Sequence, residues 1–339
     1  MKNALESAET ARNNRQIDRL VRASADSVEK LTLRRFYPML ETRYKDWPLE
    51  DTSPPSWRLW LDEDEMASAP TAVTAAGTAL DITKIFARPD GRPPFDCLEV
   101  NLGSSTVWAS GSTSQRTIAI TGVFGYQIND VPSSTLAAAI ATAPAAGTTS
   151  QITIGASWEI GVGSLLLVDS ERLNVTGRSM VTTGQTLQSP LDDELSAQVV
   201  QVTSGAAFTE DEVILLDSEK MRIDEIAGNN LIVTRAWDGS TLASHNGSAI
   251  YVPRLLTVER GACGTTPATH SNGATVSLFR PPDLINQYCI AYAEVALLDE
   301  SSAYARTIGA SDTQREAAGA RLDRLEKKVL KGFYRVRDR

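Results

Sequence analysis

Two stretches of the chain repeat each other twice over, and this repetition limits the fold more than any other feature. "LLLVDSERLNVTG" at 165–177 matches "VILLDSEKMRIDEI" at 213–226, so that Asp169-Ser170-Glu171 falls on Asp217-Ser218-Glu219. "LIVTRAWDGSTLASHNGSAI" at 231–250 matches "LLTVERGACGTTPATHSNGATV" at 255–276, which aligns the chain's two histidines, His245 and His270. Apolar alternation broken by Asp-Ser and Asn-Gly pairs predicts four hairpins, because these residues accept the backbone angles of tight turns. Neither histidine sits in an H-x-x-x-H or H-E-x-x-H spacing, and no Cys or Asp ligand set lies beside it in sequence. The expectation is therefore a scaffold position, with each imidazole bonded to a backbone carbonyl and the pair marking a duplication.

Helical periodicity is confined to the two ends. Ile17, Leu20, Val21, Ser24, Ala25, Val28, Leu31 and Thr32 predict an amphipathic helix over 15–35, capped by Asn13 or Asn14. Residues 281–305 open with prolines and are apolar nearly all round, which predicts a buried helix. Residues 311–333 begin with Ser311 and Gln314 at capping-box spacing and carry the stripe Ala318, Leu322, Leu325 and Val329. Between the ends, 46–130 holds short β-like runs, "PSSTLAAAIATA" at 132–143 suggests a short helix, and 149–280 returns to strands. These elements predict an α+β chain, a helical bundle from the N- and C-terminal helices with a large inserted β region of short strands and repeated hairpins. The expected divisions are 1–45, 46–145, 146–280 and 281–339.

Charge is unevenly spread. Residues 1–45 carry 10 Lys+Arg against 6 Asp+Glu and 321–339 carry 8 against 3, whereas 46–320 carry 15 against 33. An acidic middle argues against a grip on phosphate backbones. No apolar run reaches the roughly 18 residues of a membrane span, and the N-terminus lacks the apolar core of a secretory signal. Three cysteines, Cys97, Cys263 and Cys289, with no C-x-x-C spacing, read as reduced thiols. Nucleophile-elbow and phosphate-loop patterns are missing, so neither catalysis nor a cofactor is expected. The paired acids at Asp62–Glu65, Asp192–Glu194 and Glu210–Glu212 read as solvated loops, with acid–base catalysis or Ca²⁺ binding as the alternative. Trp47, Trp57 and Trp60 lie among Pro48, Pro54 and Pro55. They read as a core corner or, alternatively, as an exposed cluster for a sugar or a protein partner.

Three further stretches carry a resemblance. "IDRLVRASADSVEKLTLRRFYP" (17–38), "RTIAITGVFGYQINDVP" (116–132) and "PPDLINQYCIAYAEVAL" (281–297) resemble, in order, three parts of the head-to-tail adaptor (connector) proteins of long-tailed bacteriophages. These are the N-terminal helix with its Arg-Arg-Phe-Tyr-Pro corner, the strand ending in a Thr-Gly-x-Phe-Gly-Tyr turn, and the helix that follows. The repeats at about 146–280 resemble β modules of phage structural proteins, here inserted between that turn and the long helix. The resemblance implies a structural, non-enzymatic virion protein, made in the host cytoplasm and sited at the head–tail interface. It implies a homo-oligomeric ring of twelve subunits that binds the portal above and the stopper or tail-side connector below, with no membrane contact. Genomic DNA passes through the channel during ejection without sequence-specific binding. The competing reading is a tail-fibre or baseplate-like module that contacts a host glycan or partner protein.

The C-terminal segment "KKVLKGFYRVRDR" at 327–339 supplies candidate docking residues. Lys327, Lys328 and Lys331 suit the negative end of a helix dipole. Gly332 is expected to stop that helix, leaving Phe333, Tyr334, Arg335, Arg337 and Arg339 outside it for insertion between portal subunits. Leu322, Leu325 and Val329 are expected to pack against a neighbouring subunit.

Overall fold

The structure, a computed structural model, describes residues 11–47, 57–304 and 311–335. The chain is mostly β, with 37% strand and 22% helix. This overturns the expected helical bundle with an inserted β region. Three α-helices are present among the described residues, and antiparallel ladders run through most of the remainder. Two compact units emerge among the described residues, one built from 15–129 with 281–335 and the other from 130–280, with which residues 11–14 group.

In the first unit, α1 (Ala11–Thr32) starts before the expected Asn13 or Asn14 cap. It buries Ile17, Leu20, Ser24 and Val28 along one face, while Val21 from the expected stripe is exposed. Leu33, at φ 57°, ends it in a left-handed turn whose N–H bonds the Glu29 carbonyl. Helices α2 (Asp283–Tyr304) and α3 (Ser311–Phe333) follow the expected spans. The three helices share a core in which Val28 and Phe36 meet Ile285, Tyr288, Leu325 and Val329. The strands β1 (Met39–Lys45), β3 (Ala72–Ala75), β4 (Thr78–Ala79) and β7 (Ile118–Phe124) form one sheet in the order β1-β7-β3-β4. A second sheet orders β2 (Arg58–Trp60), β6 (Cys97–Val100) and β5 (Ile85–Arg88) as β2-β6-β5. Alternating residues of both sheets, including Leu59, Leu98, Ile118 and Ile120, fill one apolar cluster.

The second unit is two barrels that share β11 and β16, one inserted in sequence between those strands of the other. Its strands are β8 (Asp130–Thr135), β9 (Thr149–Thr153), β10 (Leu165–Val168), β11 (Glu171–Thr186), β12 (Val199–Gln201), β13 (Val213–Leu216), β14 (Glu219–Ala227), β15 (Asn230–Thr234), β16 (Ala249–Arg260) and β17 (Thr275–Phe279). In the host barrel the ladder runs β8-β17-β10-β11-β16-β9. It closes where Leu136 bridges Ile154 and the Ala137 N–H bonds the Thr153 carbonyl at 2.8 Å. In the guest barrel the far half of β11 and the near half of β16 continue through β13-β14-β15-β12. That ladder closes where the Gln188 N–H bonds the Gln201 carbonyl at 2.9 Å. Register shifts at Val175/Gly177 and Ser179/Val181 let β11 bend from one barrel into the other.

The two cores match position for position in topology. Leu136, Ile140, Ile152, Ile154 and Ile160 of the host correspond to Leu187, Leu191, Val200, Val202 and Phe208 of the guest. The correspondence continues from Leu166 with Ile214 to Val276 with Ile250 and Leu278 with Val252. Asp169 and Asp217, at φ 52° and 50°, make the tight turns of the β10–β11 and β13–β14 hairpins, as the Asp-Ser pairs predict. The other two repeated stretches are not hairpins. β15 pairs with β14 and β12, and the chain then crosses the barrel to place β16 beside β13. Each repeat is thus an order 4-1-2-3 Greek key.

Residues 132–143 are not helical. β8 pairs with β17 from Asp130↔Phe279 to Thr135↔Thr275, so the β unit begins at Asp130 and not at 146. Leu136 and Ile140, four apart as on a helix face, instead enter the host core from an extended chain.

Candidate functional site

The histidines sit in twin ion networks, one under each barrel's crossover. In the host, the Glu171 carboxylate accepts both Arg260 Nε and Nη2 at 2.7 Å, a bidentate pair. It also accepts the Gly261 N–H at 3.0 Å and the Ala268 N–H at 2.9 Å. Its Oε2 lies 2.8 Å from His270 Nε2, while His270 Nδ1 lies 2.7 Å from Asp169 Oδ2. In the guest, Glu219 takes Arg235 Nε and Nη2 at 2.8 Å, the Ala236 N–H at 2.9 Å and the Ala243 N–H at 3.0 Å. His245 places Nε2 3.0 Å from Glu219 and Nδ1 2.8 Å from Asp217. Arg260 and Arg235 spend their remaining donors on carbonyls of the crossing loops, Thr142 and Ala268 in the host and Asp192, Ala197 and Ala243 in the guest.

The side chains of Arg260, Glu171, Arg235 and Glu219 are all 0% exposed. A buried carboxylate is tolerable only when its oxygens are fully bonded. Burial acts to raise both carboxyl pKa values, but the arginine, histidine and backbone N–H bonds outweigh it and hold each at about 2. The expectation that each imidazole bonds a backbone carbonyl is corrected, because both ring nitrogens face carboxylates. The signal was present in the aligned Asp-Ser-Glu, Arg and His positions, but Asp169 and His270 are 101 residues apart. Each ring is 1% exposed, so no face of it is open to a substrate. The arrangement pins the crossing loop to the barrel. Among the described residues, no group of three or more His, Cys, Asp and Glu side chains is placed to hold a metal ion.

Two of the acidic stretches expected to be solvated loops contribute buried anions. Glu212 accepts Arg254 Nε at 2.8 Å and Nη2 at 2.6 Å, together with the Ser157 hydroxyl at 2.8 Å. Glu65, 4% exposed, pairs with Arg34, whose Nε caps α3 by donating to the Phe333 carbonyl at 2.6 Å. A cavity of about 240 Å³ lined by Arg34, Arg43, Glu65, Phe124 and Gly125 adjoins this pair. Burial pushes the Glu65 carboxyl up despite Arg34 and Arg335 beside it. Asp192, Asp193 and Glu194 are exposed as expected.

The C-terminal candidates divide. Gly332 does not stop α3, which runs on to Phe333. The Phe333 ring packs 5.7 Å from Phe36 and 5.4 Å from Tyr126 in the chain's own core. Arg335 donates its backbone N–H to the Thr32 carbonyl and lies 3.7 Å from Glu65. Neither residue is an exposed anchor. Leu325 and Val329 are buried and Leu322 is partly buried, all packed within the chain against the α1–α2 core. Lys327, Lys328, Lys331 and Tyr334 are exposed, and Arg337 and Arg339 lie outside the described residues. Of the tryptophans, Trp47 is buried 6.3 Å from Trp108, Trp57 packs on the same cluster, and Trp60 is 42% exposed. Comparison with protein-family models, curated proteins and solved structures finds no match to this chain.

Proposed function

We propose that the chain is a structural virion protein that forms a ring adaptor between the portal at the capsid vertex and the tail-side connector, lining the DNA exit channel. One observation carries this reading. The three stretches that resemble the phage adaptors lie far apart in sequence, yet they supply a single core. Val28 and Phe36 come from the first, Tyr126 from the second, and Ile285, Tyr288 and Ala291 from the third. Neighbouring Asp130 and Phe279 pair across β8 and β17, so the whole β unit enters and leaves that framework at one point. Insertion at such a point leaves the host framework intact. The charge pattern agrees, since an acidic middle repels phosphates and lets DNA slide. The buried ion networks act as braces in this reading, with no bond-making role. The glycan-binding alternative loses its aromatic cluster, because Trp47 and Trp57 face the core.

Negative-stain images of the purified protein, and of tailless heads probed for this chain at the portal vertex, test the proposal. Rings with a central hole that decorate the vertex are expected. A trimeric spike, or a chain located at the distal tail, would overturn it.

A further inference from the structure

The host and guest barrels share a topology but not a charge. The guest, 187–252, holds 11 Asp+Glu against 3 Lys+Arg, whereas the host segments 130–186 and 253–280 hold 5 against 5. The guest's cations are already engaged, Lys220 with Asp238, Arg222 with Asp224, and Arg235 with Glu219. The contrast is sharpest in one loop. Between Ile140 and β9 the host reads "ATAPAAGT", without a charge, while between Leu191 and β12 the guest reads "DDELSAQ". There Asp192, Asp193 and Glu194 are exposed, and so are two aliphatic side chains, Leu195 at 63% and Val199 at 53%. At the Val199 position of the outer face, the host has Gln151. The guest loop is also held rigid, because Arg235 Nη1 bonds the Asp192 and Ala197 carbonyls at 3.0 Å from beneath. A fixed loop that presents three carboxylates beside exposed aliphatics is a preorganised docking surface.

A complementary surface exists on the same chain. Arg324, Lys327, Lys328 and Lys331 follow the i, i+3, i+4, i+7 spacing of one helical face, opposite the buried Ala318, Leu325 and Val329. All four are exposed, and none makes an ion pair with a described residue. Tyr334, 49% exposed, continues the face as its apolar end. We propose that in the assembled ring the cationic face of α3 in one copy docks on the acidic 192–199 surface of the guest barrel in a second copy. The two surfaces differ, so the contact is head-to-tail, the kind that closes into rings under rotation. This rests on the ring reading above and names its interface. It also assigns the exposed lysines to a neighbouring copy in place of the portal.

Charge exchange in the full-length chain tests it. Self-association is measured by sedimentation velocity at about 0.1 M and 0.5 M salt, since exposed pairs are screened within about 10 Å at 0.1 M. Asp192→Lys with Asp193→Lys and Glu194→Lys, and separately Lys327→Glu with Lys328→Glu and Lys331→Glu, should each weaken assembly on the order of tenfold to a hundredfold. Combining both sets should restore it, and melting curves confirm that each variant folds. Neutral Asn and Gln replacements at the same sites serve if a reversed set does not fold. If the reversed variants assemble like the wild type, this interface is wrong while the ring reading stands. Failure of the combined variant to recover, or a lysine variant that keeps its ring but loses portal-bearing heads, also overturns the interface. A wild-type chain that is monomeric under all conditions overturns both.

Discussion

Glu171→Gln isolates how much the host barrel depends on its buried anion. The carboxyl pKa falls from 4.5 to about 2 on folding. At about 1.4 kcal/mol per pH unit, that fall is worth roughly 3 kcal/mol of stability at neutral pH. The amide adds a second cost, because its NH₂ must face Arg260 Nη2, the Ala268 N–H or His270 Nε2 where Oε2 accepted them. The total expected loss is about 3–5 kcal/mol, the range for breaking a buried pair. The sign with pH follows from a lowered folded-state pKa. The contribution is full above 4.5 and is lost as pH falls toward 2, so the wild type weakens across that window and Glu171→Gln does so less steeply. Urea unfolding followed by far-ultraviolet circular dichroism at pH 7, 4 and 3 measures both effects. Glu219→Gln, whose partner groups and pKa of about 2 match, should behave alike in the guest. A Glu171→Gln chain within about 1 kcal/mol of wild type at pH 7, or with an unchanged pH slope, would refute the reasoning.

Three other outcomes are expected. His245→Ala with His270→Ala should destabilise each barrel by about 1–3 kcal/mol, since each removes a buried ring that bridges two carboxylates, and paired urea melts would show it. Phe333→Ala should cost about 2–4 kcal/mol and truncation after Lys331 should lower the melting temperature, because this ring fills the space between Phe36 and Tyr126. A calorimetric scan unchanged by either alteration would contradict that placement. Replacing 183–250 by an Asn-Gly turn should leave a chain that still melts cooperatively, since Thr182 and Tyr251 already face each other across the ladder. Aggregation of the shortened chain would mean that the host needs its guest.

Local signals were legible in the sequence. The periodicity of Ile17, Leu20 and Val28 placed α1, and the Asp-Ser pairs placed two hairpin turns. Pairing order was not legible, because β16 serves both barrels as one strand, and Pro253 at the changeover reads in sequence as a strand break and not as a bend within one strand. The Ala-rich run at 132–143 misled because Leu136 and Ile140 have helical spacing, while pairing with β17 decides their conformation. Gly332 misled for a similar reason, since burial of Phe333 carries α3 past a residue that favours stopping. The twin networks join residues scattered over about a hundred positions, and only the alignment of the repeats hinted that they belong together.

The nesting of one barrel in a hairpin of the other sets an order of events during synthesis. Residues 187–252 are contiguous and complete the guest before β17 has been made. The host must join Gly177 of β11 to Thr257 of β16 and Val168 of β10 to Val276 of β17, closures that an open chain meets at a cost growing with loop length. A folded guest holds Thr182 beside Tyr251 and shortens the first closure to a hairpin, a saving of about 2–3 kcal/mol. The same holds one level out, where a finished β unit sets Asp130 beside Phe279 and so shortens the closure between the chain segments that flank it. Folding is therefore expected to run from the inside outward, and pulse-labelled hydrogen exchange during refolding should find guest amides protected before those of the host.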